Sequence, residues 1–213
     1  MLYRSSHDDG QFEVLMGRRP SKSRFMPDVY VFPGGAVDSC DARAKPATPL
    51  SSHCAEHMAV AGSKARAQTL AMAAVRETFE ETGLLIARTG NPGGVKDASW
   101  QALSEQGLSA DLAALEYFGR AITPADQPIR FNARFFICDS AQVESFNPDA
   151  LVQNTELLDL RWVPIDNPDK LALRSVTQFL LIEMDTWLNH RAQWPGYPSF
   201  SQKSGQRIVA RSR

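Results

Sequence analysis

The chain has 213 residues, of which 43% are hydrophobic and 22% are charged, and its formal net charge is −1. These values are ordinary for a globular protein, and this length can bury a substantial core. The near-neutral charge gives no general attraction to nucleic acid, and no apolar run approaches the roughly 20 residues that span a membrane. Three cysteines make no even disulfide framework and no secretory segment is recognisable, so we expect a cytoplasmic protein.

The hydrophobic pattern predicts an α/β fold in which a mixed sheet packs between helices, and we treat 1–213 as one domain. The predicted strands cover residues 11–17, 29–32, 84–86, 117–122, 131–138 and 157–163. The predicted helices cover residues 65–82, 100–106, 110–115 and 167–190. The basic segment 203–213 is expected to be disordered, solvated chain.

The segment 76–84, RETFEETGL, places three carboxylates on one helix face. Glu77, Glu80 and Glu81 have i, i+3 and i+4 spacing, where like charges destabilise a helix by roughly 0.2–0.5 kcal/mol per pair. A cation would neutralise them, and a ligand set of oxygen alone indicates Mg²⁺ or Mn²⁺. A solvated helix face is the alternative. The predicted C-cap at Gly83 and the apolar residues before Arg76 favour carboxylates held on a docked helix.

This segment resembles the second half of the Nudix hydrolase signature, G-x5-E-x7-R-E-U-x-E-E-x-G-U, in which U is apolar. The first half resembles residues 35–41, where Gly35 and Asp41 have the G-x5-E spacing with Asp in place of Glu. We therefore interpret the signature as split by an insertion at about 42–68. Because the insertion leaves the loop between Asp41 and the carboxylate helix, we expect it to lie beside the mouth of the active site.

The resemblance implies a Nudix-type α/β/α sandwich that hydrolyses a nucleoside diphosphate linked to another group, by attack of a metal-bound water on the pyrophosphate. Residue by residue, it implies that Glu77 and Glu81 are the main metal ligands, that Glu80 shares a second ion and that Gly34 adds its backbone carbonyl. Arg76 is expected to orient a carboxylate through a salt bridge.

The resemblance leaves the general base open, because the family uses either a signature Glu or an acid on a later loop. Glu156, at the start of a predicted strand, is the first candidate, and Asp41 and Asp126 are weaker ones. A structural role at the strand entry is the alternative for Glu156. A non-catalytic nucleotide-binding or regulatory module is the alternative for the whole chain, although its R-E and E-E pairs are intact.

The residues before Gly34 and Gly35 are similar to the coenzyme A diphosphatase branch, whose pattern L-L-T-x-R-S-x3-R-x3-G-x-V-x-F-P-G-G brings Arg19 and Arg24 into register with its two arginines. Guanidinium groups suit phosphate because they offer paired donors. We therefore expect Arg19 and Arg24, together with Gly34 and Gly35, to contact substrate. Ordinary surface charge is the alternative for the arginines. ADP-ribose or a dinucleotide is the alternative substrate, and a homodimer is left open.

Four side chains in or next to the insertion suggest a separate zinc hypothesis. His53 and His57 would share one helix face, and Cys40 and Cys54 are near in sequence. Their spacing matches no standard zinc module. An ordinary helix in the insertion, capped by Ser51 or the residue after it, explains the same pattern.

Overall fold

The computed structural model describes residues 1–6, 10–23, 26–123, 130–143, 147, 151–152, 155–168, 171–203 and 206–212. The strands within these residues are β1 (Leu2–Ser5), β2 (Phe12–Arg18), β3 (Tyr30–Val31), β4 (Ala87–Thr89), β5 (Leu108–Ala110), β6 (Glu116–Ile122), β7 (Asn132–Asp139), β8 (Leu158–Pro164), β9 (Tyr197–Lys203) and β10 (Gln206–Ser212). The α-helices are α1 (Ser52–His57), α2 (Lys64–Thr82), α3 (Ala98–Glu105) and α4 (Ser175–Asn189). No helix within the described residues is long and apolar enough to cross a membrane.

Eight strands form one mixed sheet in the order β10-β9-β6-β7-β1-β2-β3, and β8 pairs with β2 outside this path. The β1–β7 and β6–β9 pairs are parallel, and the other pairs of this sheet are antiparallel. Strands β4 and β5 form a separate antiparallel pair. The prediction of a mixed sheet is therefore confirmed.

Neighbouring residues of the strands enter two different hydrophobic clusters because successive side chains of a strand point to opposite faces. Leu15 and Tyr117 lie in the cluster that contains the buried residues of α1, α2 and α3. Val14 and Phe118 lie in the cluster that contains the buried residues of α4. Helices thus cover both faces of the sheet, which confirms the predicted α/β/α sandwich.

Helix α2 begins and ends where the sequence predicts. The Ser63 hydroxyl caps its N-terminus by accepting a hydrogen bond from the backbone N–H of Arg66 at 3.3 Å. Gly83 ends it with φ of 77° and donates its N–H to the carbonyl of Phe79. A left-handed residue at this position favours glycine, so the local sequence alone fixes the end of the helix that carries the carboxylates.

The insertion forms a short helix of its own, α1, whose N-cap is Ser51. Its Cys54 and the following Met58 are buried in the same cluster as α2. Residues 58–63 join α1 to the start of α2. At a rise of 1.5 Å per residue, the start of α2 lies about 20 Å from Glu77 along the helix axis. Helix α1 thus packs on the same face of the sheet as α2. The expectation that the insertion lies beside the mouth of the active site stays a prediction.

The C-terminal segment was expected to be disordered, and this prediction is wrong. Strand β10 pairs with β9 along its length, from Gln206 opposite Lys203 to Ser212 opposite Tyr197. Strand β9 in turn lies parallel to β6. Main-chain hydrogen bonds to an existing sheet edge therefore order a segment whose charged sequence carries little apolar periodicity. Strands β1 and β9 were missed as well.

Three other predicted elements need correction. The helix predicted at 110–115 is the end of β5 followed by a 3₁₀ turn, Leu112–Ala114, and the strand predicted at 84–86 begins instead at Ala87. The last helix begins at Ser175 instead of residue 167. The carbonyl of Ala172 accepts a hydrogen bond from the N–H of Tyr30 at 2.9 Å, which ties the preceding residues to β3 and delays the helix.

Candidate active site

The last turns of α2 hold the predicted carboxylates at different depths. Glu81 is buried, with 7% of its surface exposed. The side chain of Glu77 is 12% exposed and that of Glu80 is 37% exposed. A solvated helix face would leave all three in water, so this alternative is wrong for Glu77 and Glu81. Two carboxylates instead point into the protein.

Arg76 joins the two halves of the split signature. Its Nε lies 2.8 Å from Oδ1 of Asp41 and its Nη2 lies 3.0 Å from Oδ2, so the pair is bidentate. Its Nη1 lies 2.9 Å from Oε1 of Glu77 and 2.9 Å from Oε2 of Glu80. Its Nη2 also donates to the carbonyl of Ala36 at 2.8 Å. The guanidinium therefore fixes the loop on α2, as expected, and Asp41 is occupied as its buried partner.

The two glycines of the Pro-Gly-Gly turn lie directly on these carboxylates. Gly34 has φ of 146°, and its N–H donates to Oε2 of Glu81 at 2.6 Å. A Cβ on Gly35 would lie 2.6 Å from the carboxyl carbon of Glu77 and closer still to one of its oxygens. The turn can thus approach the helix because Gly35 lacks a side chain, and the φ of Gly34 favours glycine. The predicted ligand role of the Gly34 carbonyl stays a prediction.

Burial controls the ionisation of Glu77 and Glu81. It is the largest cause that raises the pKa of Glu81 to about 8, and the negative charges of Glu77 and Glu156 add to it. The Gly34 N–H and the positive charge of Arg19 act in the opposite direction. Burial likewise raises the pKa of Glu77, against the effect of Arg76. The site is therefore short of positive charge when its carboxylates are ionised.

The structure brings two residues from distant parts of the sequence to the same place. The charge of Glu156 acts on both Glu77 and Glu81, and that of Arg19 acts on Glu81. The Nε of Arg19 is buried and has no hydrogen-bond partner within the described residues. A buried donor without an acceptor costs free energy, and an anionic ligand would supply the acceptor. Arg24 and Asp126 lie outside the described residues.

The donor chemistry of the site fits a hard divalent cation. Glu77, Glu81 and Glu156 offer carboxylate oxygens only, as Mg²⁺ and Mn²⁺ prefer. No group of three acidic, His or Cys side chains is already drawn together at metal-binding positions in the described parts of the chain. Glu81 accepts from Gly34 and Glu77 pairs with Arg76. These two carboxylates would exchange those bonds to hold an ion.

The zinc hypothesis finds no support among the described residues, which contain no such cluster. Cys40 lies beside Asp41, with its Sγ 3.8 Å from Oδ1. Burial raises the pKa of the thiols of Cys40 and Cys54 to about 12. His53 instead contacts the hydroxyl of Tyr197 at 2.6 Å. The pattern belongs to a helix that packs on the sheet, which was the alternative interpretation.

Sequence reasoning missed one residue of this site. The hydroxyl of Ser99 donates to Oε1 of Glu80 at 2.6 Å. Ser99 lies on the first turn of α3, whose N-cap Asp97 accepts from the N–H of Ser99 and of Trp100, each at 3.1 Å. The signal for this helix start was the Asp97 cap before an apolar run, but nothing in the sequence indicates that α3 docks beside α2.

No protein-family model matches the chain. A Caenorhabditis elegans protein named, by provisional assignment, nudix hydrolase 7 is 31% identical over 135 residues, which cover 58% of this chain. The chain spans 38% of the length of that curated relative. A crystal structure of a NUDIX hydrolase from Alicyclobacillus acidocaldarius is similar with a TM-score of 0.65 and 29% identity, covering 86% of this chain and 87% of that one.

The chain therefore has the α/β fold of Nudix hydrolases, with a large mixed sheet between helices. Both relatives are named as Nudix hydrolases. Neither name specifies coenzyme A, so the predicted branch stays a prediction.

Proposed function

We propose that this protein hydrolyses the pyrophosphate bond of a nucleoside diphosphate linked to another group, with Mg²⁺ or Mn²⁺ as cofactor. The observation that carries the proposal is the contact of Glu77 and Glu81 with the Gly34–Gly35 turn, where the charge of Glu156 also acts on both carboxylates. A divalent cation would offset the negative charge of these buried carboxylates. The hydrolase names of the two relatives agree with this chemistry.

Each residue of the site has a role in this proposal. Glu77 and Glu81 would hold a divalent ion, which when bound offsets phosphate charge and lowers the pKa of water. Glu80, which Arg76 and Ser99 hold at the edge of the site, would serve a second ion. Arg76 positions these carboxylates without touching substrate.

Glu156 is proposed as the general base. It adjoins the two ligand carboxylates and is more exposed than Glu81, so it can reach a water on the open side of the site. Arg19 would bind a substrate phosphate, because its buried Nε has no acceptor within the described residues. Arg24 is proposed for the same task on the sequence pattern alone.

Coenzyme A or an acyl-coenzyme A is the substrate that we propose, with ADP-ribose and dinucleotides as the competing substrates. The two arginines before the glycine turn support this choice, because that spacing is shared with the coenzyme A branch. We also propose a cytoplasmic location. All three cysteines are free and buried in the structure, which agrees with a reducing compartment.

Mass-spectrometric product analysis tests the proposal. The wild-type protein is incubated with Mg²⁺ and then Mn²⁺ on coenzyme A, acyl-coenzyme A, ADP-ribose, NADH and diadenosine polyphosphates, with and without chelator. Adenosine 3′,5′-bisphosphate and 4′-phosphopantetheine are the expected products. Cleavage of another substrate alone would keep the chemistry and refute the coenzyme A assignment.

Two variants separate catalysis from contamination and from misfolding. Glu81→Gln keeps the size and a hydrogen-bond acceptor for Gly34, and it should abolish hydrolysis. Glu56→Gln makes the same change at an exposed position of α1 and should keep the wild-type rate. Silence of the wild-type protein across the panel would instead favour a nucleotide-binding module.

A further inference from the structure

A positively charged cavity lies before the start of α3, the helix whose Ser99 contacts Glu80 of the candidate active site. Its volume is about 420 Å³, and its lining residues are Arg43, Lys45, Gly93, Gly94, Val95 and Lys96. Arg43 and Lys45 come from the start of the insertion, and Lys96 follows the loop that contains Gly93 and Gly94. The nearest acid in the adjoining cavity is Glu105, which lines a space of about 230 Å³ that shares residues 93–95.

Main-chain hydrogen bonds hold the walls of this cavity in place. The N–H of Lys45 donates to the carbonyl of Pro92 at 3.0 Å, and the Lys45 carbonyl accepts from the hydroxyl of Ser109. On the other wall, Asp97 caps α3 immediately after Lys96. The three cations therefore project from fixed backbone, which lowers the entropy lost when they hold a ligand.

The cations have no acidic partner among the described residues. Lys45 and Lys96 form no salt bridge there, and Arg43 contacts only the hydroxyl of Ser39 at 3.5 Å. All three side chains are exposed at the mouth of the cavity. Three like charges around one cavity repel one another, and an anion with two or more charges would relieve this repulsion.

Short covalent paths connect the cavity with the carboxylate site. Arg43 follows two residues after Asp41, which holds Arg76. Lys96 precedes Ser99 by three residues, and Ser99 holds Glu80. At 3.8 Å per residue, these paths span at most about 8 and 11 Å. These lengths lie within the span of one elongated ligand.

We infer that this cavity binds a phosphate monoester carried by the substrate at a position remote from the pyrophosphate. The inference rests on the proposed function and adds a use for the first residues of the insertion, which the hydrolytic reaction itself does not require. The cations of the insertion would then select between substrates, because a substrate without the monoester would leave the three cations of the cavity without an anion.

A charge-matched pair of double variants tests the inference. Lys45→Gln with Lys96→Gln removes two cations from the cavity, and Lys64→Gln with Arg66→Gln removes two from the exposed start of α2. The substrates are coenzyme A and its 3′-dephospho form, which differ by one phosphate monoester. The cavity variant should raise KM for coenzyme A about tenfold with little change in kcat, and leave the dephospho form unchanged. The control variant should change neither.

An equal change of KM for both substrates would overturn the inference. So would loss of inorganic phosphate binding in the cavity variant with an unchanged KM for coenzyme A, because the cavity would then take free phosphate. If the wild-type protein hydrolyses neither substrate, the proposed function fails and calorimetry still decides the inference. Adenosine 3′,5′-bisphosphate should then bind the cavity variant about tenfold more weakly than wild type, and the control variant as tightly as wild type. Equal binding by the two variants would refute the cavity assignment.

Discussion

Replacing Glu81 by glutamine should stabilise the metal-free protein at neutral and basic pH while it abolishes hydrolysis. In the unfolded chain this carboxyl ionises near its ordinary pKa of 4.5, whereas burial raises the pKa to about 8 in the fold. The proton-linked stability is therefore complete below pH 4.5 and is lost as pH rises through 8. At about 1.4 kcal/mol per pH unit, the raised pKa of Glu81 lowers the free energy of unfolding by on the order of 3 kcal/mol more at pH 8 than at pH 5.

Urea unfolding in EDTA, followed by tryptophan fluorescence at pH 5, 6.5 and 8, measures this cost. The difference in the free energy of unfolding between Glu81→Gln and wild type should grow in favour of the variant by about 3 kcal/mol from pH 5 to pH 8. Glu105→Gln, on the exposed surface of α3, should show no such growth. A difference that stays constant with pH would refute the reasoning, since it would mean that Glu81 ionises in the fold as it does in water.

Three further changes test the contacts around the site. Asp41→Asn leaves the buried Arg76 without its bidentate partner and should lower the free energy of unfolding by about 3 kcal/mol in urea titrations; a loss under 1 kcal/mol would show that the pair is dispensable. Gly35→Ala forces a methyl group against Glu77 and should lower kcat at least about tenfold in the product assay with an unchanged circular dichroism spectrum, whereas full activity would show that the turn yields freely. Ser99→Ala removes one hydrogen bond and should lower kcat/KM by about fivefold or less in initial-rate measurements, and complete inactivation would give Ser99 a larger role.

The helix that carries the carboxylates could be predicted closely because its limits are local. Ser63 and Gly83 cap it through their own backbone and side-chain chemistry, and the apolar residues between them mark the buried face. The same holds for α1, which begins at the cap that the serines predicted. By contrast, β9 and β10 are ordered by pairing with a sheet edge that no local pattern reveals. The sequence of β10 is polar because most of its described side chains face water.

The site shows the same division between local and long-range information. Glu77, Glu80 and Glu81 were visible from their spacing. The approach of Arg19 to Glu81 depends on how β2 passes the end of α2, and it could be proposed only from a family pattern. The contact between Ser99 and Glu80 depends on how α3 docks, which no residue spacing encodes. Long-range packing therefore decides the surroundings of carboxylates that the sequence alone identifies.

The split signature can work as one site because Asp41 and Arg76 meet in spite of the insertion between them. Loop-closure entropy grows only slowly with loop length, so a longer connection costs little more than a short one. The insertion offsets this cost by burying Cys54, Met58 and Val60 in the core that α2 already uses. The bidentate pair then fixes the loop that carries the glycine turn on the helix. The shorter aspartate at position 41 is accommodated because Nε and Nη2 of Arg76 bind it. The Nη1 of Arg76 still contacts Glu77 and Glu80 of α2.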